Sequence, residues 1–138
     1  MKKILWILAL FGIGCSNKQG APVIHVSMMN NRQSVQITGL DNVMMQEISR
    51  DSAGGAWQSL LPVYRMPADT DLKNYQPVQP GKYQVKDNAV IFMPDTPFIA
   101  HETYFVRYYK FDAGNKINDF ITGHNSPGSL HYSDLTFK

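Results

Sequence analysis

Residues 103–111 read Thr-Tyr-Phe-Val-Arg-Tyr-Tyr-Lys-Phe. Aromatic and β-branched side chains dominate this stretch, no glycine or proline interrupts it, and consecutive residues of a strand point to opposite faces. One face of the predicted strand therefore carries Tyr104, Val106 and Tyr108, and the other carries Phe105, Arg107 and Tyr109. Residues 112–115 turn the chain back into a strand over 116–122, and a loop over 123–128 precedes a last strand over 130–137. On the upstream side, 83–85 and 89–93 flank Asp87-Asn88, a hairpin-like turn. Earlier still, 34–40 alternates cleanly, with Val35 and Ile37 facing one way and Gln36 and Thr38 the other. Asn30-Asn31 separates it from a first strand over 23–28. Residues 43–49 and 57–64 read as third and fourth strands around the loop 51–55. The stretch 66–81 holds Pro67, Pro77 and Pro80 and shows no period, which suits a crossover or a loop lying over a sheet. Short strands near ten residues apart predict an all-β sandwich of seven to nine strands.

Composition sets the outer bounds. At 138 residues there is room for one domain with an ordinary core. An apolar share of 43% with 17% charged residues excludes a disordered tail, a coiled coil and a collagenous repeat. The chain has one cysteine, so neither an intrachain disulfide nor a cysteine-based zinc cluster can form.

The first residues carry their own instruction. Lys2-Lys3 is followed by an unbroken apolar run over 4–13 and then by Gly14-Cys15-Ser16, the layout of an export signal. A ten-residue helix reaches only ~15 Å, too short to span a bilayer. Gly12-Ile13-Gly14-Cys15 resembles the bacterial lipoprotein box, although Gly12 stands where leucine is usual. The resemblance implies cleavage after residue 14, diacylation of Cys15, and firm attachment to the lipid bilayer, since each buried methylene contributes ~0.8 kcal/mol. It divides the chain into a signal (1–14), a lipidated cysteine with a small polar tether (15–21) and a β-sandwich domain (22–138). Ser16 is not the aspartate that retains lipoproteins in the inner membrane of enteric bacteria, which implies the outer membrane in a Gram-negative host. The formal charge of +2 shares this origin. Removing Lys2 and Lys3 leaves 11 basic residues against 11 acidic ones, all of the latter after Cys15. A neutral domain has no counterion-release drive towards nucleic acid.

Residues 88–109, Asn-Ala-Val-Ile-Phe-Met-Pro-Asp-Thr-Pro-Phe-Ile-Ala-His-Glu-Thr-Tyr-Phe-Val-Arg-Tyr-Tyr, resemble the middle of a fibronectin type III or bacterial Ig-like domain. Such domains carry an apolar strand, a proline-bearing corner, and a buried apolar residue six positions before a tyrosine. Here these residues are Phe98 and Tyr104. The resemblance implies a tyrosine corner, in which the Tyr104 hydroxyl hydrogen-bonds backbone across the corner while its ring fills core. It implies no activity, because the fold hosts many functions. The early-strand tryptophan of the family is missing, with Val35 and Ile37 standing there instead, and Trp57, in a later strand, could take the core-filling role.

Chemistry is sparse. Ser129, His131 and Asp134 share a neighbourhood, but no Gly-x-Ser-x-Gly elbow supports a triad, and an exposed strand face explains them more simply. His25, His101, His124 and His131 are scattered singly, without metal-ligand spacing. Met28-Met29 and Met44-Met45 could hold Cu(I) with His25, yet neighbours on a strand split between two faces, and core filling by methionine accounts for them. No catalytic residue, metal or cofactor is assigned. The aromatic set is more suggestive: Trp57, Phe105, Arg107 and Tyr109 form the candidate binding face, since Tyr, Trp and Arg anchor interfaces and aromatic rings stack on sugars. The functional expectation is a non-enzymatic, membrane-anchored module that binds another envelope protein. The alternative is a surface glycan-binding module.

Overall fold

The computed structural model describes residues 23–50, 55–110 and 131–138. Cys15, the flanking signal and tether, the expected strand over 116–122 and the loop over 123–128 lie outside them. The chain is mostly β. Its elements run β1 (His25–Met29), β2 (Ser34–Thr38), α1 (Asn42–Ser49), α2 (Gly55–Leu60), β3 (Val63–Arg65), a 3-10 helix (Thr70–Tyr75), β4 (Gly81–Lys86), β5 (Ala89–Pro94), β6 (Tyr104–Lys110) and β7 (His131–Phe137). The strands form two antiparallel sheets, one of four strands in the order β1-β2-β5-β4 and one of three in the order β3-β6-β7. Val35, Ile37, Val90 and Phe92 from the first sheet and Val63 and Val106 from the second meet in one core with no exposed surface. Burying each such side chain stabilises by roughly 1.5–3 kcal/mol.

Turn chemistry sets the hairpins. Lys86 pairs with Ala89 across a two-residue turn whose Asp87 and Asn88 have φ of 50° and 60°. Two consecutive residues in the left-handed region match the right-handed twist of the flanking strands, and Asp and Asn tolerate that region better than most. Asn30, Asn31 and Arg32 repeat the device between β1 and β2, with φ of 50°, 50° and 69°. Gly81 opens β4 where the Phe92 ring lies across it: a Cβ there would stand 2.6 Å from the ring and 2.4 Å from the Met93 carbonyl oxygen.

Two expected strands are helices. Residues 43–49 fall in α1 because Asp41 caps it: its carboxylate accepts from the Met44 amide at 3.1 Å and its carbonyl from the Met45 amide at 3.0 Å. Met44 and Met45 consequently both enter the core, instead of splitting between two faces as on a strand. Met28-Met29 does sit on a strand, and there only Met28 packs against the core cluster. Trp57 belongs to α2 and not to a strand, whereas 63–65 is extended as expected. Residues 66–81 also contain more order than the prolines suggested. Asp69 accepts from the Asp71 amide at 3.0 Å and starts the 3-10 helix, and Pro77 follows its end. Seven strands are present among the described residues.

The corner between β5 and β6 is held by one hydrogen bond and a cluster of rings. The Ile99 amide donates to the Tyr104 hydroxyl at 3.0 Å. The Phe98 ring stands edge-on to Tyr104 at 4.7 Å and to Phe137 at 5.3 Å. Tyr104→Phe keeps the ring and removes the acceptor, so it is expected to cost about 1 kcal/mol. The check is urea unfolding, with a lower midpoint at unchanged slope.

Candidate functional site

The outward face of the three-stranded sheet is built row by row from its register. Tyr64 on β3 opposes Phe105, Arg107 on β6 opposes Asp134, and Tyr109 opposes Tyr132 on β7. Cross-strand partners lie close enough for their side chains to touch. The Tyr64 and Phe105 rings stack at 5.1 Å, and those of Tyr109 and Tyr132 meet edge-on at 5.9 Å. Arg107 donates through Nε to Asp134 Oδ1 at 2.8 Å and through Nη2 to Asp134 Oδ2 at 3.0 Å, a bidentate pair. Its guanidinium also lies 4.1 Å from the centre of the Tyr132 ring.

The 3-10 helix closes over this face. Lys73 Nζ reaches Asp134 Oδ2 at 2.7 Å and stands 4.6 Å above the Phe105 ring. Asn74 Oδ1 accepts from Arg107 Nη2 at 2.9 Å. Four side chains from three elements thus form one charge-assisted clamp that ties the crossover to the sheet. Burial pushes the Asp134 carboxyl up, but the hydrogen bonds from Arg107 and Lys73 outweigh it and hold the group below the ordinary carboxylate value. The Asp134 hydrogen bond raises Arg107 above its usual range.

The four residues of the candidate binding face therefore separate. Trp57 is 5% exposed and belongs to the core cluster, so it offers no surface platform. Phe105 (0% exposed) and Arg107 (7% exposed) share the expected face, but the 3-10 helix and their own partners cover them. Tyr109 is half-buried and lines an open groove of about 450 Å³, with Tyr64, Val78, Pro62 and the α2 residues Gly55, Gln58 and Ser59. Burial raises the Tyr64 hydroxyl above its ordinary value. The clearest exposed apolar groups near the clamp are Leu72 and Tyr75 on the 3-10 helix and Tyr132 on β7, with Tyr75 81% and Tyr132 46% exposed.

Tyr64, Lys73, Asn74, Tyr132 and Asp134 were not anticipated as one cluster. Tyr132 and Asp134 are two apart on a strand and so share a face, which is a local signal. Their partners come from distant segments and leave none. Ser129 and His124 lie outside the described residues, and Asp134 is committed to Arg107 and Lys73. Among the described residues no group of three His, Cys, Asp or Glu is placed to hold a metal ion, and no helix is long and apolar enough to cross a membrane. In comparisons with known proteins, the chain matches no family model, no curated protein and no solved structure.

Proposed function

We propose that the chain is a non-enzymatic lipoprotein of the bacterial cell envelope, anchored through acylated Cys15, whose Ig-like domain binds another envelope protein. The sheet order supports the Ig-like assignment. Lettered A to G along the chain, the strands fall as A-B-E-D in one sheet and C-F-G in the other, the order of constant-type Ig domains. Tyr104 stands at the start of the F-equivalent strand, where such domains keep their corner tyrosine. The departure is the pair of short helices between β2 and β3.

One observation carries the interaction role: Tyr75 is a large aromatic side chain, 81% exposed, on an element held in place by the Asp69 cap and the Lys73–Asn74 clamp. An aromatic side chain has only two rotatable bonds to fix, so on an element already held in place it loses little conformational entropy on binding, which is why such residues anchor interfaces. Leu72 and Tyr132 extend the exposed apolar surface.

The test places a photo-crosslinking side chain at Tyr75 in the full chain and irradiates intact membranes. One discrete envelope-protein adduct from position 75, without the same adduct from Lys82 on the other sheet, is the expected result. Equal adducts from both positions, or none from 75, would overturn the interface. The anchor has its own arm: Cys15→Ser is expected to move the protein out of the detergent phase. Unchanged partitioning would remove lipidation.

A further inference from the structure

We propose that the groove between the exposed flank of α2 and the outer face of β3 and β6 is a binding subsite for a neutral sugar unit of a glycan. It is separate from the exposed 3-10 helix surface and does not depend on the protein-binding role proposed for it.

The lining chemistry selects the ligand. Two phenol rings, Tyr64 and Tyr109, supply flat apolar surface with hydroxyls at their rims, and Val78 and Pro62 add apolar wall. Gln58 contributes an amide that both donates and accepts, and Ser59 a hydroxyl that does the same. Both are exposed on α2. A sugar ring has a matching mixture: a patch of C–H groups that packs on an aromatic face, and hydroxyls that need donors and acceptors together. Among the described residues, no carboxylate, ammonium, guanidinium or imidazole group lines the groove. The neighbouring charges Arg107, Asp134 and Lys73 are already spent on one another. An anionic ligand would find no cation among these groups, and a cationic one no carboxylate.

A peptide strand fits less well. It would add to a sheet through main-chain hydrogen bonds along an open edge. The β3 edge beside this groove is occupied: Tyr64 bridges to Val78, and the Gln79 amide donates to the Val63 carbonyl at 2.7 Å. A purely apolar chain fits poorly too, because the exposed Gln58 and Ser59 would lose water without gaining partners. What remains is a ligand recognised by ring stacking and side-chain hydrogen bonds.

The full chain, purified in a polyoxyethylene detergent that carries no sugar headgroup, is mixed with maltoheptaose, cello-oligosaccharides and N-acetylglucosamine oligomers. Saturation-transfer NMR then reads protein contact at the sugar ring protons. At least one of these neutral oligosaccharides is expected to show transfer, and Tyr109→Ala is expected to weaken its binding about tenfold or more. Because Tyr109→Ala also removes the contact with Tyr132, Gln58→Ala on the exposed helix flank supplies a second arm. It is expected to weaken binding severalfold with unchanged thermal midpoint, while Tyr109→Phe keeps the stacking and most of the affinity. Silence from all three neutral series, or binding that both Tyr109→Ala and Gln58→Ala leave unchanged, would overturn the subsite. Loss of the Tyr75 crosslink with sugar binding intact would count against the protein-binding role alone.

Discussion

Trp57→Ala is expected to lower the unfolding free energy by about 3–5 kcal/mol, the range for truncating a large buried aromatic. The indole is 5% exposed and shares a cluster with Met44, Met45, Leu60 and Leu61, so alanine leaves a void that short helices cannot close without shifting. Native domains are stable by only about 5–15 kcal/mol, so the variant is expected to sit near the edge of folding at ordinary temperature. Urea unfolding followed by circular dichroism gives the number. Trp57→Phe fills most of the space and should recover much of the loss. A cost under about 1 kcal/mol for the alanine variant would show that the side chain is not a core residue. The result also bears on ligand studies, because lost binding in Trp57→Ala would report a damaged fold and not a missing platform.

The second large effect is expected at the clamp. Asp134→Ala leaves the Arg107 guanidinium, 7% exposed, without its bidentate partner, and truncating one member of a buried pair costs about 3–5 kcal/mol. Lys73 keeps more contact with water and is less affected. The double variant Arg107→Met with Asp134→Leu removes both charges together and is expected to recover most of the stability, since the penalty comes from stranding a charge. If the double variant is as unstable as the single one, the packing of Asp134 matters more than its charge.

The clamp also has a pH signature. The folded carboxyl of Asp134 titrates below its unfolded value, so its contribution is fully present above the unfolded carboxylate pKa of ~3.9. The contribution is lost as pH falls from there through the folded pKa. In Asp134→Asn that group no longer titrates, so stability is expected to fall less steeply below about pH 4 than in the parent. Parallel acid limbs in the two proteins would rule the clamp out as a source of acid sensitivity.

Local pattern was a good guide wherever the deciding interactions were local. Two-residue periodicity in 103–111 separated Tyr104, Val106 and Tyr108, which lie in the core, from Phe105, Arg107 and Tyr109 on the opposite face. Asp87-Asn88 marked a hairpin because those residue types tolerate the backbone conformation such a turn needs. The pattern misled at 43–49 and around Trp57. Helices of eight and six residues are marginal in isolation; α1 is held by the Asp41 cap, and both are held by packing. Val, Met, Ile and Trp at close spacing look the same in a buried strand and in a short buried helix.

The groups of the site were visible one at a time, but their assembly was not. Arg107 could be placed on an outward face, yet whether that face was open depended on Asp134, 27 positions later, and Asn74, 33 positions earlier. Pairing across such separations follows from strand order and from where the 3-10 crossover lands, and neither leaves a trace in local composition. The groove has the same origin, since α2, β3 and β6 bring Gln58, Tyr64 and Tyr109 together. Strand periodicity, turn positions and the neutral charge after Cys15 follow from the order of residues alone, because each rests on near neighbours or on simple counting. Which face is covered, which aromatic is core and where a ligand could sit follow from long-range packing, which only the assembled sheets supply.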